Sequence, residues 1–159
     1  MADQPVTIQA AVEDFFEDLR LSPRSKKTYR IAIEEFLAYL REHCQLDPAC
    51  APVTALTEDH AAGFATARMP ADVRSPEEVS QMRTAQTKLA AVRKFYSYLV
   101  SFDVHPALST EKLRARISAV MPRFTPPPPD VSTADLDRIV EYVRRLPREG
   151  NPARDLRRL

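Results

Sequence analysis

The stretch opened by Ser75-Pro76-Glu77-Glu78 constrains this chain more than any other. Behind it, Val79, Met82, Leu89, Val92, Phe95, Tyr96, Leu99 and Phe102 recur at steps of one, three, four and seven. Apolar residues at that spacing share one face of a helix. Ser with Glu three residues on is the capping-box pattern, and Pro suits the first helical position. The spacing predicts a helix to about Ser101, either in one piece or broken near Ser80. An apolar stripe of this length has to be covered by other elements, which commits the chain to a packed core.

Candidate partners carry the same period. Ile8, Val12, Phe15, Phe16 and Leu19 predict a helix over about Thr7–Arg20, with Glu13, Asp14, Glu17 and Asp18 on its other face. Ser22-Pro23 opens a second, to about His43, striped by Tyr29, Ile33, Phe36, Leu37 and Leu40. A short helix is expected over Glu58–Arg68 behind Thr57. Another spans about Thr110–Val120, with Leu113, Ile117 and Val120 inward. Phe15, Ile33, Phe36, Leu40, Leu89, Val92, Phe95 and Leu99 are the expected core. No segment alternates like a strand, so the expected fold class is all-α. Pro126-Pro127-Pro128-Pro129 favours an extended spacer. Beyond it, Ser132-Thr133-Ala134-Asp135 opens one more stripe, Leu136, Ile139, Val140 and Val143, with too little chain after it to complete a second core.

Composition removes several function classes. Gly63 and Gly150 are the only glycines among 159 residues, so no P-loop or Rossmann phosphate turn can be written. Cys44 and Cys50 cannot form a disulfide framework, and the first residues have neither the basic nor the apolar region of a secretory signal. The expected location is cytoplasmic. No apolar run approaches the roughly 20 residues of a membrane span.

Net charge is only +1, but it is unevenly spread. Residues 1–20 carry 1 basic and 5 acidic groups, residues 21–45 carry 5 and 3, residues 46–82 carry 2 and 6, and residues 83–123 carry 8 and 2. Two basic segments therefore alternate with acidic ones. Brought together, they would form a basic face suited to a polyanion; held apart, they are ordinary solvated helix surface. Arg24, Lys26, Lys27 and Arg30 crowd the start of the second helix, where the helix dipole favours acids. A local rule broken in this way points to an outside demand, such as an anion at the helix start.

Ser22-Pro23-x-Ser25-x-x-x-Tyr29, continuing through Ile33, Phe36, Tyr39 and Leu40, resembles the first signature helix of the core-binding domain of tyrosine recombinases, the phage integrases. Thr84-x-x-Thr87-Lys88-Leu89-x-Ala91-Val92-Arg93-x-Phe95-Tyr96-x-Tyr98-Leu99 resembles the second. The resemblance covers roughly residues 7–123. It implies a SAM-like bundle of four or five helices that grips duplex DNA, residues 124–131 as a linker, and residues 132–159 as the start of an incomplete catalytic domain. The DNA-contacting positions it implies are Ser25, Lys26, Lys27, Thr28 and Arg30, then Arg83, Thr84, Thr87 and Lys88, and more loosely Arg114 and Arg116. The implied partners are double-stranded DNA and other recombinase protomers on the same DNA, with no membrane and no small-molecule substrate. No cofactor is implied.

The family's Tyr nucleophile and its Arg, His and Lys helpers belong to the catalytic domain. This chain is therefore expected to hold no catalytic residue and not to cut DNA. Tyr29, Tyr39, Tyr96, Tyr98 and Tyr142 lie on apolar stripes and are expected to pack in cores. His105-Pro106 stands where the family commonly has Asn-Pro and reads as a turn. His43, Cys44, Cys50 and His60 match no compact zinc spacing, so no metal site is expected. The competing class is a helical protein–protein module, whose basic residues would scatter around the bundle.

Overall fold

The computed structural model describes residues 5–122 and 132–145, and the chain divides into two compact units, Met1–Thr125 and Pro126–Leu159. The first unit contains α1 (Ile8–Asp18), α2 (Pro23–His43), a 3₁₀ turn (Val53–Ala55), α3 (Glu58–Arg68), α4 (Pro76–Ser101) and α5 (Thr110–Val120); the second contains α6 (Thr133–Arg145). Among the described residues there is no strand, only an isolated bridge between Thr7 and Pro52. The expected all-α class holds.

All eight expected core residues are buried. Phe15 meets Phe95 edge-on at 5.5 Å, and Phe36 meets Phe64 at 5.4 Å. Such ring pairs add about 0.5–1.5 kcal/mol each beyond the area they bury. They tie α1 to α4 and α2 to α3.

Helix α4 is continuous. Ser75 Oγ accepts from the Glu78 N–H at 3.2 Å, and Glu78 Oε2 accepts from the Ser75 N–H at 2.9 Å, so the capping box forms in both directions. Two stripe positions end differently from expectation. Phe102 is 61% exposed and stacks on Tyr98 at 4.8 Å; it follows the last helical residue, where the stripe has run past the core. Val120 closes α5 and is 37% exposed for the same reason.

The connection from α2 to α3 is tied down along its length. Gln45 takes a left-handed φ of 54° after α2, and the Leu46 N–H reaches back to the Leu40 carbonyl at 3.0 Å. The carbonyls of Ala51 and Pro48 accept from the Ile8 and Gln9 N–H groups at 3.0 and 2.9 Å. They thereby satisfy two first-turn donors of α1 that have no intrahelical partner. The Val53 N–H donates to the Val6 carbonyl at 2.8 Å. The Tyr96 hydroxyl donates to the Thr57 carbonyl at 2.8 Å, and His105 Nε2 lies 2.9 Å from the Leu56 carbonyl. His105 does sit in the turn after α4, but its ring is buried. Burial pushes the Tyr96 phenol far above its ordinary pKa.

In the second unit, Ser132 caps α6: the Asp135 N–H donates to Ser132 Oγ at 3.1 Å, and that hydroxyl donates to Asp135 Oδ2 at 2.7 Å. Leu136, Ile139, Val140 and Val143 are exposed. Tyr142, at 67% exposure, is a surface residue rather than the core residue expected. Tyr96 is fully buried, while Tyr29, Tyr39 and Tyr98 are half-buried. Pro126–Pro129 lie outside the described residues.

Candidate nucleic-acid interface

At the start of α2, Ser22 Oγ accepts from the Ser25 N–H at 3.3 Å and donates to Ser25 Oγ at 2.9 Å, so both hydroxyls serve the helix cap. The basic residues behind them divide between two faces. Lys26 Nζ donates to the Phe16 carbonyl at 3.4 Å, and Phe16 lies in the last turn of α1, whose carbonyls have no helical partner. Arg30 places its guanidinium 4.3 Å over the Phe16 ring, with Glu13 Oε2 at 3.8 Å. These two cations hold α1 against α2. Arg24, Lys27 and Thr28 are exposed, and the Thr28 hydroxyl donates to the Arg24 carbonyl at 3.2 Å.

Helical steps of three and four carry the strip of Arg24, Lys27 and Thr28 on through Ile31, itself 49% exposed, to Glu35. There it meets α4. Lys88 Nζ donates to Glu35 Oε2 at 2.9 Å. Up α4 from Lys88 stand Thr87, Thr84 and Arg83, all exposed; the Thr84 and Thr87 hydroxyls donate to the Ser80 and Arg83 carbonyls at 3.1 Å each. Residues of both signature helices therefore converge on one seam. A hydroxyl that donates within its own helix keeps lone pairs for an outside donor.

The seam includes a residue that the sequence reading passed over. Arg68, at the end of α3, has Nη2 3.6 Å from the same Glu35 oxygen, and its guanidinium lies 5.6 Å from the Phe64 ring centroid. An open cleft of about 340 Å³ lies here, lined by Arg68, Ser80, Gln81, Thr84 and Lys88 among others. Arg68 escaped notice because it belongs to the acidic stretch of residues 46–82; only tertiary packing places it beside Lys88. A larger groove, about 600 Å³, is lined by Phe15, Leu19, Lys94, Tyr98 and Phe102 and contains none of the DNA-contacting positions implied from sequence.

The loosely implied pair is placed elsewhere. Arg116 Nη1 is 3.2 Å from Asp59 Oδ1 in the first turn of α3, and Arg114 is exposed on α5. Asp59 and Arg68 stand at opposite ends of α3, about 14 Å apart along the axis. The cysteine and histidine residues do not assemble. His60 Nδ1 accepts from the Thr57 N–H at 3.0 Å, with burial holding its pKa below the ordinary histidine value, and the His43 ring lies 5.2 Å from Tyr39. Among the described residues no group of three or more His, Cys, Asp or Glu side chains is placed to hold a metal ion.

A family model described as phage integrase, N-terminal SAM-like domain, matches residues 12–102, more than half the chain. The chain belongs to that family. The integrase match runs from α1 to the end of α4, so it takes in both signature helices and Arg68, and stops short of Arg114 and Arg116. This SAM-like domain is the core-binding module of tyrosine recombinases, proteins of DNA integration and recombination. No curated protein and no solved structure matches the chain. No helix among the described residues is long and apolar enough to cross a membrane.

Proposed function

We propose that residues 7–123 bind double-stranded DNA as the core-binding domain of a site-specific tyrosine recombinase, with residues 124–131 as linker and residues 132–159 as the beginning of a catalytic domain. On this reading other protomers share the same DNA, and these residues do not cleave it. One observation carries the proposal: Lys27 and Thr28, exposed on α2, and Arg83, Thr84 and Thr87, exposed on α4, lie on strips that lead to the contact between the half-buried Lys88 and Glu35. Lysine and arginine neutralise phosphates and release their counterions, and threonine hydroxyls accept from donors on base edges with little discrimination, or donate to phosphate oxygens once turned away from their own helix carbonyls. Ser25, Lys26 and Arg30 support the strip by fixing the start of α2. Arg114 and Arg116 contribute outer phosphate contacts.

Titration of a fluorescent duplex at several salt concentrations tests this. A log–log salt slope of roughly −3 to −6 is expected, with affinity in the non-specific range of about 10⁻⁴ to 10⁻⁶ M. Replacing Lys27 and Lys88 together by Ala is expected to flatten the slope by about two units and leave the circular dichroism spectrum unchanged. No binding even at about 50 mM salt, or an unchanged slope in the double variant, would favour a protein-interaction module instead.

A further inference from the structure

Glu35 presents one oxygen to two cations from two different helices, Lys88 of α4 at 2.9 Å and Arg68 of α3 at 3.6 Å. A phosphodiester oxygen bridging two basic side chains makes the same contact. The carboxylate is neither on the rim nor deep in the core: its side chain is 29% exposed, while those of Lys88 and Arg68 are 26% and 42% exposed. Both cations therefore keep a side open to solvent. On that side lies the cleft that also holds Ser80 and Gln81, whose hydroxyl and amide offer donors to an arriving oxyanion. Arg68 has a second support besides Glu35, since the Phe64 ring lies beneath its guanidinium at 5.6 Å to the centroid.

We propose that Glu35 is a built-in competitor of DNA phosphate, holding Arg68 and Lys88 in the free protein and giving them up to a phosphodiester when duplex binds. The proposal rests on the DNA reading above and adds two residues to it: Arg68 as a phosphate-binding side chain and Glu35 as the acid that weakens the site. The electrostatics set its direction. The two cations and one carboxylate leave a single net positive charge at the cleft, and removing the carboxylate leaves two. Replacing a partly solvated internal ion pair by an ion pair with phosphate gains little, since the attraction given up offsets much of the attraction made. Glu35 thereby keeps non-specific affinity low, and its removal should raise that affinity.

The test compares wild type, Glu35→Gln, Arg68→Gln and the double variant. Glutamine keeps the shape of Glu35 and an acceptor for Lys88. At low salt, Glu35→Gln is expected to bind duplex about tenfold more tightly than wild type. Arg68→Gln is expected to bind more weakly and flatten the salt slope by about one unit, and the double variant to lose most of the gain. Equal or weaker binding by Glu35→Gln, with an unchanged unfolding temperature, overturns the proposal while leaving DNA binding itself intact. A second measurement needs no DNA: the Arg68 Nε–H resonance is followed as inorganic phosphate is added. It is expected to shift more in Glu35→Gln than in wild type. If wild type binds no duplex, the function proposed above fails, and an unmoved Arg68 signal in Glu35→Gln then removes the phosphate seat as well.

Discussion

The two long helices begin alike and are used differently. Both α2 and α4 open with Ser-Pro, and in both the serine hydroxyl caps the first turn. After that, α4 follows the rules of an isolated helix: Glu77 and Glu78 stand at the positive end of its dipole, and Glu78 closes the capping box. Helix α2 has no acid in its first turn and carries Arg24, Lys26, Lys27 and Arg30 instead. The same crowding of cations has two causes. Lys26 and Arg30 are spent on α1, one on an orphan carbonyl and one on an aromatic ring, while Arg24 and Lys27 face solvent. A basic helix start is thus no single signal, and neighbouring positions on one turn can answer to packing and to a ligand.

The largest effect that would break this comparison comes from below Arg30. Phe16→Ala empties a buried site and removes the surface that seats the guanidinium, so it is expected to cost about 3–5 kcal/mol in chemical denaturation. A smaller, sharper contrast compares Arg24→Glu with Lys26→Glu. Arg24→Glu puts an acid at the helix start and is expected to stabilise by about 0.3–1 kcal/mol while weakening duplex binding. Lys26→Glu abandons the Phe16 carbonyl and is expected to destabilise by about 1–2 kcal/mol. If both substitutions shift the unfolding midpoint the same way, the division of α2 into two faces is wrong.

The cap of α4 supplies a pH signature that α2 lacks. The N–H groups of Arg74 and Ser75 hold the Glu78 carboxyl below the ordinary glutamate range. Its contribution is therefore full above that range and lost as the pH falls through the lower folded value. Glu78→Gln is expected to flatten the acid limb of the unfolding-temperature profile, and Ser75→Ala to cost about 1 kcal/mol at neutral pH. A comparably small effect concerns the end of α2. Gln45→Gly relieves a left-handed residue and is expected to stabilise by about 0.5–1 kcal/mol, measured by thermal unfolding.

Much of the bundle was legible because its determinants are local. Ser22-Pro23 and Ser75-Pro76 mark where helices start, and three-four spacing points Ile33, Phe36, Leu89 and Phe95 inward. Phe102 and Val120 escaped because periodicity continues past the point where the core ends. The buried His105 was invisible because a turn residue's burial depends on what packs over it. For the candidate interface, the sequence marked two basic strips but not the side to which each cation turns. Lys26 and Lys27 differ only in the helix they face, which is settled by α1. Glu35 and Arg68 gave no signal at all: a lone acid on a helix and a lone base in an acidic stretch acquire meaning only when α2, α3 and α4 meet.

The connection between α2 and α3 has a consequence for how this chain can be cut and rejoined. Segments between helices usually tolerate added residues, tags or new termini. Here the backbone of Pro48 to Thr57 is used at both ends: Pro48 and Ala51 close the first turn of α1, Val53 is bonded to Val6, and the carbonyls of Leu56 and Thr57 are taken by side chains from beyond α3. Lengthening it would detach the beginning of the polypeptide from its middle. The sole stretch between α2 and α3 long enough to look like a loop is, for insertion and circular permutation, part of the interior.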